Sequence, residues 1–286
     1  MAEGTATTPH TYPQGVPCWI DTAQPDPPAA SRFYGELLGW SFHEAMPPGA
    51  PGSYLIAQRN GRDAAAIAPL ADAATGGASA EWVTYIAVGD ADAMAARAEE
   101  LGGTLLEPPQ DAGPVGRYAT VRDPAGAVFR LWQARQRIGS QINNAPGSWN
   151  FSDLHVADVA AALGFYRELF GWIVTDMGPD AGAMIGVAGY GDHLEATVDP
   201  DIRVRQAGAP PGFADVIGGA TTVADGESPS WHVTFSVADR DASAADAERL
   251  GGVVLARAEG VWASTARIRD PWGAEFTLSQ FTGPAD

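Results

Sequence analysis

Lysine is missing from this chain. All 17 basic residues among its 286 are arginine, which removes the amine that a Schiff-base enzyme, a pyridoxal-phosphate enzyme or a P-loop depends on. Cysteine is nearly missing as well. Cys18 stands alone, so an intramolecular disulfide is excluded and a thiolate metal cluster is out of reach. Its neighbours Pro17, Trp19 and Ile20 are apolar, and no cationic side chain is near it in sequence; that setting reads as a buried, inert thiol rather than a nucleophile.

Positive charge is scarce overall: the formal net charge is −18 and the pI is near 4.5. A face that binds phosphates needs a surplus of cations, so nucleic acid and anionic membranes are disfavoured as partners, and the acidity is expected to serve solubility. No N-terminal basic-plus-apolar signal and no run of about 18 apolar residues appears, which points to a cytoplasmic protein.

What the chain does have is repetition. "SRFYGELLGW" from Ser31 returns as "LGFYRELFGW" from Leu163, "WVTYIAVGDADAMAARAEELGG" from Trp82 as "WHVTFSVADRDASAADAERLGG" from Trp231, and "VRDPAGAVFRLWQ" from Val121 as "IRDPWGAEFTLSQ" from Ile268. The pairs keep the same order, so the chain reads as two homologous domains, 14–135 and 148–281, joined by a polar, Gly/Pro-containing linker over 136–147. A hydrophobic content of 45% is ample for two cores.

Each half divides again. A short strand leads to a helix opened by an aspartate and closed by Gly39 or Gly171, and then an alternating strand leads to a helix stopped by a Gly-Gly pair and further strands bounded by an Asp-Pro-x-Gly turn. The summary is an α+β protein built from a βαβββ unit used four times.

With these motifs in view, the chain resembles the vicinal oxygen chelate superfamily, in particular tandem glyoxalase/bleomycin-resistance-like proteins. "FYGELLGW", "FYRELFGW", "AEELGG", "AERLGG", "RDPAG" and "RDPWG" carry the resemblance, which covers Pro17 to Gln280. It implies two domains, each a curved eight-stranded sheet around a cup made by paired βαβββ modules. It also implies where metal ligands would stand: Trp19, Val83 and Arg130 in the first half, and Phe151, His232 and Thr277 in the second. Only His232 is a credible ligand, so no metal and no other cofactor is expected. A rescued site from His232 with His193 and Glu195 of "GDHLEATV" would require those two to share a strand face.

If the ligand positions face the cups, alternation adds their neighbours. The first cup then offers Trp19, Asp21, Val83, Tyr85, Val128, Arg130 and Trp132, an aromatic box with one acid and one base. Arg130 and Asp21 either pair with each other, or Arg130 grips a carboxylate or phenolate while the aromatic rings stack on a planar ligand. The second cup offers Phe151, Asp153, His155, His232, Thr234, Glu275, Thr277 and Ser279. There Asp153 is suited to orient His232 for general acid–base work, with His155 as a further candidate, or His232 is held in a structural network with Asp153 or Thr277.

Trp40 and Trp172, duplicated where the cups differ, read as core residues; Trp262 and Arg117 read as candidates for a pocket lip. The leading expectation is metal-free binding of an aromatic or polycyclic small molecule, as in drug-binding or resistance proteins, with no nucleic-acid or membrane partner and a monomer favoured over a homodimer. The alternative is a cofactor-independent isomerase, cyclase, dehydratase or ring-opening enzyme using His232. A metal-dependent dioxygenase or glyoxalase would need ligands that neither half supplies, and a purely structural role would show as a pocket filled by side chains.

Overall fold

The computed structural model describes residues 11–71, 79–178, 182–209, 211–223 and 227–283. The first half begins with β1 (Pro17–Gln24), α1 (Pro27–Leu38), β2 (Ser41–Glu44), β3 (Leu55–Arg59) and β4 (Arg62–Pro69). It continues with β5 (Glu81–Ala87), α2 (Ala91–Glu100), β6 (Thr104–Asp111), β7 (Gly116–Arg122) and β8 (Val128–Ala134). The second half runs β9 (Ser148–Val156), α3 (Val159–Phe170), β10 (Ile173–Asp176), β11 (Ala183–Gly186), α4 (Tyr190–Thr197), α5 (Ile202–Arg205) and β12 (Val216–Thr222). It ends with β13 (Ser230–Ser236), α6 (Arg240–Arg249), β14 (Val253–Glu259), β15 (Ala263–Arg269) and β16 (Glu275–Phe281).

Two mixed eight-stranded sheets result, ordered β2-β3-β4-β1-β5-β8-β7-β6 and β10-β11-β12-β9-β13-β16-β15-β14. Within a module the first strand runs parallel to the last, as Asp21 opposite Ala66 and Thr234 opposite Thr277 show. The connection between them runs through a helix and two further strands, because a parallel return needs a crossover. The expected α+β fold, with its modules paired two by two into sheets, is the fold observed.

Four helices start as their sequences predict. Asp26, Asp90, Asp158 and Asp239 each accept a hydrogen bond from the backbone N–H three residues on, at 2.9 to 3.0 Å. That satisfies a donor the helix leaves open. Gly39 ends α1 at φ 69°, a left-handed backbone that glycine adopts without a Cβ clash. The guanidinium of Arg59 lies where that Cβ would go and donates to Gly39 O at 3.0 Å.

One module departs from the plan. "GDHLEATV" is not a strand but lies in α4, and α4 and α5 interrupt the module between β11 and β12. From Tyr190 to Ala196 the segment lacks β-branched residues and contains Leu194, Glu195 and Ala196, good helix formers. His193 and Glu195 therefore point about 200° apart around a helix instead of sharing a strand face. His193 Nε2 lies 2.8 Å from Thr11 O, and Glu195 accepts from Arg203 Nε at 3.0 Å. The strand-face site built on these two residues is overturned.

By compactness the chain divides into two units that each draw on both halves. One comprises residues 1–18, 86–138 and 154–230, the other 19–85, 139–153 and 231–286. In the first, Phe129, Phe165, Tyr166, Phe170 and Trp172 pack together, with Tyr166 and Trp172 stacked at 4.8 Å. In the second, Tyr34, Trp40, Trp82, Phe235 and Phe276 do the same. Trp40 and Trp172 are buried, and each indole N–H donates to a backbone oxygen, Gly147 O at 2.7 Å and Gly15 O at 2.8 Å. They are core residues, as their duplication suggested.

Candidate functional site

Strand alternation puts fully buried residues such as Ala119, Val121, Phe129 and Leu131 on one face of β7 and β8, leaving Thr120 and Arg130 on the other. The candidate side chains lie on these second faces and fall into three clusters.

The first cluster belongs to β1, β5 and the residue preceding β3. Trp19 Nε1 donates to Tyr54 Oη at 3.0 Å, and Tyr54 Oη donates to Asp21 Oδ2 at 3.0 Å. Tyr85 Oη donates to the same carboxylate oxygen in a short contact. Asp21 is only 3% exposed, and Trp19, Val83 and Tyr85 around it are buried. Two phenols are thus tied to one carboxylate and the indole to one of those phenols, which fixes their rings. Tyr54 is absent from the sequence-derived set, because the "PGSYLIAQ" segment lies outside the repeated motifs that align the two halves.

The second cluster is on β6, β7 and β8. Arg130 Nε donates to Thr120 Oγ1 at 3.0 Å, and Arg130 Nη2 lies 3.6 Å from Glu107 Oε2. Thr120 Oγ1 also donates to Glu107. The guanidinium carbon is 5.6 Å from the Tyr118 ring centroid, within cation–π range. Trp132, in the expected set, is buried and commits its indole N–H to Arg137 O at 3.0 Å.

The third cluster is on β13, β15 and β16. His232 Nε2 lies 2.8 Å from Thr277 Oγ1, and both His232 and Thr234 are buried. Glu275 is shared by two arginines: Oε2 is 2.6 Å from Arg267 Nη2, and Oε1 accepts from Arg269 at 2.7 and 2.9 Å. Arg267 had no sequence signal of its own, since an arginine in a strand ordinarily reads as solvated. Phe151 and Asp153, both on β9 in the same compact unit as His232, are half-buried. His155, later on β9, falls in the other unit, where its backbone partner is Thr221.

The remaining candidates lie apart from these clusters. Trp262 is in the loop between β14 and β15, partly exposed, and its carbonyl accepts from Thr282 N at 3.0 Å. Arg117 is bound on both sides, by Asp92 at 2.7 and 2.8 Å and by Asp111 at 3.2 Å. The Arg117 bonds hold the Asp92 carboxyl below the usual range, and bonds from Arg135 and then Arg117 do the same for Asp111. Cys18 is fully buried, and burial pushes its thiol well above the usual value, which suits the inert role.

The ligand positions implied by the resemblance do not fit a divalent ion. Trp19, Val83 and Phe151 offer no lone-pair donor suited to a cation, Arg130 is itself a cation, and His232 and Thr277 are engaged with each other. Among the described residues no group of three or more His, Cys, Asp or Glu is placed to hold a metal.

Comparison with known proteins finds two family matches. Residues 19–131 match the Glyoxalase/Bleomycin resistance protein/Dioxygenase superfamily, and residues 151–279 match a glyoxalase-like domain. CFP32 of Mycobacterium tuberculosis (strain CDC 1551 / Oshkosh), named provisionally as a glyoxylase, is 35% identical over 270 residues, 93% of this chain and 95% of that protein. The anthracycline biosynthesis protein DauV of Streptomyces sp. (strain C5) is 33% identical over 285 residues, 93% of this chain and 94% of that protein. Among solved structures, the Mn(II)-bound glyoxalase from Novosphingobium aromaticivorans superposes with a TM-score of 0.60 at 12% identity, covering 96% of this chain and 84% of that one. The 2,3-dioxygenase LapB from Pseudomonas sp. KL28 does so at 0.59 and 14% identity, covering 96% and 95%. At such identities these two structures speak for the fold alone.

Proposed function

The chain belongs to the glyoxalase/bleomycin resistance protein/dioxygenase superfamily as a tandem two-domain member, and from that premise we propose that it binds an aromatic or polycyclic small molecule of secondary metabolism without a metal ion. The observation that carries this reading is the Trp19–Tyr54–Asp21–Tyr85 network. Where the superfamily resemblance implies a metal ligand, this chain has an indole, and beside it two phenols held by one buried carboxylate. Rings whose orientation is fixed before binding lose little conformational freedom when a planar ligand stacks on them, and offset or edge-to-face contacts add about 0.5–1.5 kcal/mol per ring pair. The relationship to an anthracycline biosynthesis protein supports a polycyclic ligand.

Quenching of intrinsic tryptophan fluorescence by a polycyclic quinone, with chelator present throughout, tests the proposal. Saturable binding that Tyr54→Phe and Tyr85→Phe weaken supports it; binding that appears only after a divalent metal is added refutes it.

A second reading is favoured by one observation, the buried His232 Nε2 to Thr277 Oγ1 contact of 2.8 Å. In this reading His232, with Asp153 as a supporting group, moves a proton on a small metabolite, in an isomerisation, cyclisation, dehydration or ring opening. An imidazole in hydrogen-bond reach of a hydroxyl is equipped for general acid–base work. Turnover of a candidate metabolite by wild type and its loss in His232→Ala would establish it, whereas undiminished turnover in that variant would remove it. The protein is proposed to act as a cytoplasmic monomer. Among the described residues no helix is long and apolar enough to cross a membrane.

A further inference from the structure

One face of the last module is lined by hydroxyls. Along β13, β15 and β16 the fully buried Phe235, Ile268 and Leu278 belong to the core, so alternation puts Thr234, Ser236, Thr265, Thr277 and Ser279 on the other face. The strand register gathers these five into two rows. Thr265 stands opposite Ser279 and Ser279 opposite Ser236, while in the next row Thr277 stands opposite Thr234. All five lie within residues 231–286 of one compact unit. The lining belongs to this half alone: counted from Trp82 and Trp231 and from the aspartates of the Asp-Pro-x-Gly turns, the matching places of the first half hold Tyr85, Ala87, Tyr118, Arg130 and Trp132.

The strands do not need these hydroxyls to fold, because valine fits the same pleat. Nor does the chain use most of them. Thr277 is engaged with His232, but the side-chain hydroxyls of Thr234, Ser236, Thr265 and Ser279 meet no protein partner among the described residues. Thr234 is only 8% exposed, and the other three are half-buried. A hydroxyl drawn that far out of solvent and left unbonded costs about 1–3 kcal/mol, so this row calls for a polar partner from outside the chain. Two residues beyond Ser279 on the same face stands Phe281, with 75% of its surface in solvent.

We propose that this face binds the sugar ring of a glycoside. Each serine or threonine hydroxyl both donates and accepts, as each sugar hydroxyl does, so the two sets pair whichever way their protons turn. Neighbouring strands lie about 4.7–4.9 Å apart, which lets the row Thr265–Ser279–Ser236 address alternate hydroxyls around a six-membered ring. The exposed ring of Phe281 offers an apolar platform to the C–H face of the sugar. No charge on the ligand is called for, in keeping with a face whose Arg267 and Glu275 already pair with each other. This inference goes beyond the aromatic-ligand reading and does not rest on it.

The test compares probes that share one ring system: 4-methylumbelliferyl β-D-glucoside and β-D-galactoside against 7-methoxy-4-methylcoumarin, titrated by fluorescence polarisation in chelator. At least one glycoside is expected to bind wild type about tenfold more tightly than the methyl ether, as several added hydrogen bonds would give. The triple variant Thr234→Val, Thr265→Val, Ser279→Ala is expected to lose that preference with its circular dichroism unchanged. Phe281→Ala, at an exposed position whose loss leaves folding intact, is expected to weaken glycoside binding severalfold, and it decides the matter if the triple variant does not fold. Glycosides that bind no better than the ether overturn the proposal, and the aromatic reading stands if the ether still binds. A glycoside preference that survives in the triple variant overturns it as well, by placing the sugar elsewhere.

Discussion

The hydroxyl of Tyr166 donates to Asp123 Oδ2 at 2.8 Å, joining the Phe-Tyr motif of the second half to the Asp-Pro-x-Gly turn of the first. Tyr34 makes the reciprocal bond to Asp270, also at 2.8 Å. Two of the three motifs that carry the family resemblance are thus bonded to each other, once in each compact unit. Replacing Tyr166 with Phe leaves a buried carboxylate one donor short, and about 1–3 kcal/mol of stability should be lost. Urea unfolding of Tyr166→Phe measures it, and an unchanged midpoint would mean that water replaces the phenol.

Asp123 also makes a pH prediction. Its burial holds the carboxyl above the ordinary range, outweighing the bonds from Tyr166 and the backbone N–H groups that lower it. The folded state therefore keeps its proton to a higher pH than the unfolded chain, whose aspartates titrate near about 3.9. Between the unfolded and folded values stability falls as pH rises, and above them the cost of the buried charge is complete. Asp123→Asn should lose this dependence, so its stability relative to wild type should rise with pH through that window. Parallel stability–pH curves for the two proteins would contradict the assignment.

Cys18 should report unfolding. With no exposed surface and a thiol raised by desolvation, it should react negligibly with a disulfide reagent in the native protein and completely in concentrated urea. Rapid labelling of native protein would show that β1 opens.

Gly39 and Gly171 end equivalent helices at φ 69° and 73°. Alanine at either is expected to cost about 1–2 kcal/mol from the left-handed backbone alone. At Gly171 a Cβ meets nothing within 4 Å, whereas at Gly39 it meets the guanidinium of Arg59. Gly39→Ala should therefore lower the melting temperature further than Gly171→Ala, and equal shifts would mean that Arg59 moves aside freely.

The local patterns of the chain were readable without coordinates. Aspartate caps, glycine stops, alternating strands and repeated motifs express short-range backbone geometry, and the duplication let each half verify the other. The α+β modules, the burial of Trp40 and Trp172 and the setting of Cys18 all follow from that information. The "GDHLEATV" segment has no matching repeat in the first half to align it, so its i, i+2 spacing alone does not tell a strand face from a helix.

What the sequence determined by itself, then, was the modular fold, because its caps, stops and alternation are set by backbone geometry over a few residues. Tertiary structure alone decided which side chains meet. Tyr54 reaches Asp21 from 33 positions away, and Arg267 lies across a ladder from Thr277. It also decided that each compact unit draws on both halves of the chain. Such pairings depend on strand register and packing between distant segments, and no short stretch of sequence encodes them.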